Sequence, residues 1–154
     1  MPKFRKNKRQ DKKLTERETE YLKTVFKLLS GKETVGSLEV ANAMGVSCAT
    51  ASEVLKKLYE KGMLKREPWK GVSLSERGAK EINRILRNHR IFETYVYRFL
   101  SVNLKDACDC ASKIELYLSE EIVDSMCRAL GHPERCPHNN YIPRGGSCCL
   151  RKKS

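Results

Sequence analysis

Long apolar runs are missing from this sequence. Nowhere in its 154 residues does a stretch approach the roughly 18 apolar residues of a membrane helix, so no membrane partner is expected. The opening residues Met1-Pro2-Lys3-Phe4-Arg5-Lys6 are basic, but no apolar segment follows them. A secretory signal is therefore not expected, and the expected location is cytoplasmic. An even set of cysteines is also missing. Seven occur: Cys48, Cys108, Cys110, Cys127, Cys136, Cys148 and Cys149. A disulfide framework calls for pairs and for export. Metal or redox chemistry remains for the six that lie beyond residue 107. There is no glycine loop to cradle phosphate and no nucleophile–base–orienter set, so neither an enzyme nor a small-molecule substrate is expected. No internal repeat occurs.

What is present is positive charge, placed at the ends. The net charge is +12. Residues 1–13 hold seven Lys or Arg against one Asp, residues 144–154 hold four and no acid, and the body between them carries only +2. Basic ends around a balanced body attract polyanions without reading sequence. A solvated end that aids solubility is the simpler alternative.

The hydrophobic period predicts a mainly α fold. Thr15 and Glu18 form a capping box that opens a helix whose apolar face is Tyr21, Leu22, Val25, Phe26, Leu28 and Leu29. A short helix follows, with Ser37 expected as cap and Gly45 as stop. The next, beginning at Ser47, turns Ala51, Val54, Leu55 and Leu58 inward. It leaves Ser47, Ala49, Thr50, Ser52, Glu53, Lys56 and Lys57 outside. Two helices around a glycine turn, the second with small polar residues at its start, form a helix-turn-helix pattern. Residues 63–67 and 71–74 read as a hairpin wing carrying Lys65, Arg66 and Lys70 toward a nucleic-acid backbone. Ordinary surface lysines are the competing explanation.

Three amphipathic helices follow, about 76–101, 105–118 and 120–130. The first has the stripe Ile82, Ile85, Leu86, Phe92, Val96, Phe99 and Leu100. They hold too little core of their own, and a homodimer on operator DNA is expected. The predicted organisation is a basic N-terminal arm (1–13), a winged helix-turn-helix DNA-binding domain (14–75), a helical metal-binding and dimerisation domain (76–131) and a Cys-rich basic C-terminal tail (132–154).

The order of several phrases resembles the diphtheria-toxin-repressor and manganese-transport-regulator family of metal-dependent repressors. They are Thr19-Glu20-Tyr21-Leu22-Lys23-Thr24-Val25, Trp69 through Gly78, Asn88-His89-Arg90-Ile91-Phe92-Glu93, Lys113 through Glu121, and Leu130-Gly131-His132-Pro133 leading to Cys136-Pro137-His138 and Tyr141-Ile142-Pro143. Because the match spans about 14–143, it points to the short, two-domain branch. The resemblance implies a divalent metal held between the first helix and the dimerisation helices, with Glu20, His89, Glu93 and Glu115 as ligands. Fe²⁺ is the expected effector, with Mn²⁺, Zn²⁺ and an iron–sulfur cluster as alternatives. The sequence departs from the family at Leu116, Ser112 and Lys23, where a histidine, a Cys or Glu, and a second-site glutamate are expected. A histidine satisfied by Glu93 with no metal is the plainer reading of the His89 pair. The four cysteines Cys127, Cys136, Cys148 and Cys149, with Cys108 or Cys110 able to replace one, are a second candidate ligand set for Zn²⁺ or a cluster sensor.

Overall fold

The computed structural model describes residues 13–145 and 148–149. The basic arm before Lys13, and the last basic residues Arg151, Lys152 and Lys153, lie outside the described residues. The chain divides into two compact units, one through Gly78 and one from Ala79.

The first unit contains α1 (Glu16–Leu28), α2 (Ser37–Met44), α3 (Cys48–Glu60) and the strands β1 (Leu64–Glu67) and β2 (Gly71–Leu74). The Thr15–Glu18 capping box forms at the start of α1, and Glu18 also receives the Lys61 ammonium at 2.5 Å. The cap of α2 is Gly36, not Ser37 as expected; Ser37 is already helical. Glu39 takes over the capping work by accepting the Gly36 N–H at 3.0 Å. Gly45 closes α2 in the left-handed conformation, which glycine adopts without steric cost. Ala51, Val54, Leu55 and Leu58 of α3 are buried with Tyr21, Leu22 and Val25 of α1. Phe26, expected on that apolar face, is 40% exposed.

The strands pair antiparallel, with Leu64 opposite Leu74 and Glu67 opposite Gly71. Val35 adds a one-residue bridge by exchanging both backbone hydrogen bonds with Val72 at 2.9 Å. This close approach requires glycine at 71, because a Cβ there would stand 2.3 Å from the Val35 carbonyl oxygen. The hairpin leaves through Ser75 and Gly78, and a Cβ at Gly78 would lie 1.9 Å from the Met63 carbonyl oxygen.

The second unit holds most of α4 (Glu76–Phe99), then α5 (Leu104–Ile114) and α6 (Glu120–Ala129). Asn103 caps α5 and Ser119 caps α6. Its core joins Ile91 of α4 with Val123, Met126, Cys127 and Leu130, and also with Cys136, Ile142 and Cys148. The aperiodic segment beyond Gly131 is thus part of this core. The Ile142 N–H bonds the Glu134 carbonyl at 2.8 Å, and Arg87 and Arg90 of α4 donate to the carbonyls of Pro143 and Tyr141. Phe99 and Leu100, expected in the α4 stripe, are more than half exposed, as are Tyr117 and Ile122. Among the described residues no helix is long and apolar enough to cross a membrane.

Candidate metal centre and DNA-contacting surface

The helix-turn-helix face is assembled by capping and by small side chains. Ser47 Oγ accepts the Thr50 N–H at 3.1 Å and lies 2.8 Å from Thr50 Oγ1. Ser47, Ala49, Ser52, Glu53, Lys56 and Lys57 are exposed, and Thr50 is half-buried. Lys57 pairs with Glu53 at 2.9 Å, an exposed pair that contributes little to stability. On the hairpin Lys65, Arg66 and Lys70 are all exposed. Arg66 lies over the Tyr59 ring, 4.9 Å from its centroid. Trp69, at a positive φ of 64° in the turn, is fully exposed.

In the second unit the ligand-bearing residues gather around Glu93. His89 and Glu93 are one helical turn apart and share a face of α4. The ligand atoms of His89, Glu93 and Cys108 lie within 4.8 Å of one another, with His89 Nε2 3.5 Å from Cys108 Sγ. A second group on the same carboxylate comprises Glu93, Cys136 and His138. Glu93 is 1% exposed. His138 Nδ1 lies 2.5 Å from Glu93 Oε1, and the Cys136 thiol is hydrogen-bonded to the same carboxylate. A buried carboxylate is costly unless it is paired. A carboxylate on which imidazoles and thiols converge is a donor set that fits a divalent metal. Burial, joined by the nearby Glu93 charge, pushes the Cys136 thiol up.

Glu115 takes a different position from the expected ligand. It is 1% exposed, and its Oε2 lies 2.7 Å from His89 Nδ1. The buried Asn88 amide holds the end of α5 in place by donating to the Glu115 carbonyl at 2.9 Å. The partner of His89 in the structure is therefore Glu115 rather than Glu93, and Glu115 orients the ring. Glu20 lies in the first unit, is 57% exposed at its side chain and pairs with Lys23 at 3.5 Å. The ligand groups formed by the described residues do not include it.

The cysteines expected as one set are divided. Cys136 joins Glu93 and His138, whereas Cys127, Cys148 and Cys149 gather with His132. Cys110 is exposed on α5 and belongs to neither group. Reading the sequence for ligands passed over His132 and His138. The Cys136-x-His138 spacing was the available signal for one, and nothing local announced the other.

Comparison with known proteins identifies both units. The model of the iron dependent repressor N-terminal DNA binding domain matches residues 13–72. That of the iron dependent repressor metal binding and dimerisation domain matches residues 75–144. An uncharacterized HTH-type transcriptional regulator of Methanocaldococcus jannaschii is 27% identical over 108 residues, which are 70% of this chain and 86% of that one. The crystal structure of the hypothetical protein SSo2273 from Sulfolobus solfataricus superposes with a TM-score of 0.73 at 27% identity, over 85% of this chain and 100% of that one. The metal-dependent transcriptional regulator MtsR gives the same TM-score and identity over 85% of this chain, which spans 61% of MtsR. With both domain models matched in order on a helix-turn-helix unit and a ligand-bearing helical unit, the chain belongs to the iron-dependent repressor family of metal-dependent transcriptional repressors.

Proposed function

We propose that the protein is a homodimeric, cytoplasmic repressor whose affinity for operator DNA rises when Fe²⁺ occupies the ligands around Glu93. The observation that carries this reading is the buried Glu93 carboxylate with two imidazole–thiol groups against it. His89, Glu93 and Cys108 would hold the ion, with Cys136 and His138 on the other side of the shared carboxylate. Glu115 keeps the His89 ring in place. Thiols in both groups favour Fe²⁺ over Mn²⁺, since a soft sulfur donor suits manganese poorly. Glu20, on α1, is retained as a further candidate ligand from the family resemblance.

The exposed Tyr97, Phe99, Leu100, Tyr117 and Ile122 supply apolar area for a second copy, and a two-fold dimer suits a near-palindromic operator. The α3 residues Ser47, Ala49, Thr50 and Ser52 would face base edges. Lys56, Lys57, Lys65, Arg66 and Lys70 would face phosphates. The metal acts by its differential affinity for the DNA-binding and non-binding forms, a coupling of about 5–150-fold in typical cases.

The test is anaerobic fluorescence anisotropy on an operator selected from random DNA, with Fe²⁺, Mn²⁺ or no metal added. Fe²⁺ is expected to tighten binding by at least about tenfold, and Glu93→Gln is expected to abolish the response while the dimer persists in ultracentrifugation. DNA affinity indifferent to every added metal would refute the proposal.

A further inference from the structure

The group at the end of α6 is separate from Glu93 and is built differently. Cys127 comes from α6, His132 from just beyond it, and Cys148 and Cys149 from the last described residues. Cys127 Sγ lies 3.6 Å from Cys149 Sγ and 3.6 Å from His132 Nδ1. Cys149 Sγ lies 3.4 Å from Cys148 Sγ and 3.8 Å from His132 Nδ1. Tetrahedral zinc with Zn–S of about 2.3 Å and Zn–N of about 2.0 Å sets ligand separations of about 3.8 Å between sulfurs and about 3.5 Å between sulfur and nitrogen. These four separations are close to those one tetrahedral ion requires, and all four ligand atoms lie within 4.8 Å of one another.

Two further observations are independent of those distances. His132 has a φ of +57° directly after Gly131 at +75°, a left-handed conformation that a residue with a Cβ adopts at a cost. It is held there by its N–H bonding the Cys127 carbonyl at 2.9 Å, with ring nitrogen Nδ1 turned onto two sulfurs. A cation also stands beside the thiols. The Arg87 guanidinium, paired with Asp124 at 2.9 Å, lies 3.1 Å from Cys148 Sγ, whose thiol donates to Asp124 Oδ1 at 3.2 Å, a proton that metal binding would release. An iron–sulfur cubane places its four thiolates on four different irons, and sulfurs in mutual contact leave no room for one.

We propose that Cys127, His132, Cys148 and Cys149 form a closed Cys₃His site for one Zn²⁺ that fastens His132, Cys148 and Cys149 to α6. With four protein ligands there is no open position, so the site is structural. Its ion is independent of the regulatory metal proposed above. Because the ligands meet only in the folded chain, zinc binding adds to folding stability.

The experiment uses full-length protein purified without oxygen and dialysed against a chelator, with metal measured by mass spectrometry. Co²⁺ alone, added to metal-stripped protein, supplies an optical reading of thiolate ligation. About one zinc per chain is expected to remain, and Co²⁺ is expected to give intense thiolate charge-transfer absorption. Cys149→Ser, at a half-buried position, should lose both with at least about a 100-fold drop in zinc affinity. His132→Ala should weaken binding, whereas Glu93→Gln and Cys136→Ser should retain the zinc. Absence of thiolate absorption in the reduced wild-type protein would overturn the proposal. So would zinc binding unchanged in Cys149→Ser, or a Cys127–Cys149 disulfide that takes up no metal after reduction.

Discussion

Replacing Glu115 by glutamine tests whether this residue orients the proposed ligand His89 or would itself hold the metal. Glutamine keeps the volume of a side chain that is 1% exposed and still offers an oxygen to His89 Nδ1, now 2.7 Å away. It removes only the charge. A hydrogen bond to a charged acceptor contributes about 1.5–3 kcal/mol against about 0.5–1.5 for a neutral one. The loss is then about 1.4 kcal/mol, equivalent to about tenfold in affinity. That is the lower end of the roughly 10–100-fold expected on removing the outer partner of a metal-bound histidine. The assay is an anaerobic Fe²⁺ titration against a chromophoric chelator, with Glu93→Gln measured alongside. Glu115→Gln should bind about tenfold more weakly than wild type, and Glu93→Gln much more weakly still. DNA binding without metal should be the same in all three. Equal losses in the two variants would show that Glu115 is itself a ligand. No loss in Glu115→Gln would remove its orienting role.

Other perturbations probe the rest of the chain. Gly78→Ala forces a Cβ to within 1.9 Å of the Met63 carbonyl oxygen. It should destabilise the protein by about 3 kcal/mol, and an unshifted urea midpoint would contradict this. Burial raises the Glu18 carboxyl, but the hydrogen bonds from Lys61 and Thr15, joined by the Lys61 charge, together outweigh it and hold the group below its ordinary range. Its stabilisation is therefore complete above the unfolded pKa of about 4.3 and is lost as the pH falls through the lower folded value. Thermal melts across that acid window should show a smaller pH slope in Glu18→Gln; an identical slope would dismiss the pair. Trp69 is the chain's single tryptophan and is fully exposed on the hairpin, so iodide should quench its fluorescence freely and operator DNA should protect it. Equal quenching with and without DNA would take the hairpin out of the interface. Lys70→Ala should lower the slope of log affinity against log salt by about 1, and an unchanged slope would show that Lys70 meets no phosphate.

Legibility in the sequence followed the range of the interactions. The cap at Thr15 and the inward residues of α3 depend on neighbours three or four positions away, and each could be read before any fold was known. At α2 the cap moved by one residue because Glu39 can reach back to a glycine N–H, a choice that side-chain preference alone does not reveal. Phe26, Phe99 and Leu100 lie on helical apolar faces but are exposed, since periodicity marks a face without saying what covers it. The His89–Glu93 spacing was visible on one helix. That Glu115 turns the His89 ring, and that Glu93 is shared with Cys136 and His138, depended on α4, α5 and the later segment meeting.

The segment beyond Gly131 shows the division most plainly. It has no hydrophobic period and read as a tail. Cys136, Ile142 and Cys148 nevertheless enter the core, and Arg87 and Arg90 donate to the Pro143 and Tyr141 carbonyls of the same segment. The sequence by itself determined the helices, the wing, the family and the residue types able to bind metal, since local spacing and order carry all of these. Only the tertiary structure decided which ligands meet. It divided the cysteines between two groups and supplied His132 through a left-handed backbone turn, because those distances are set by contacts far apart in the chain.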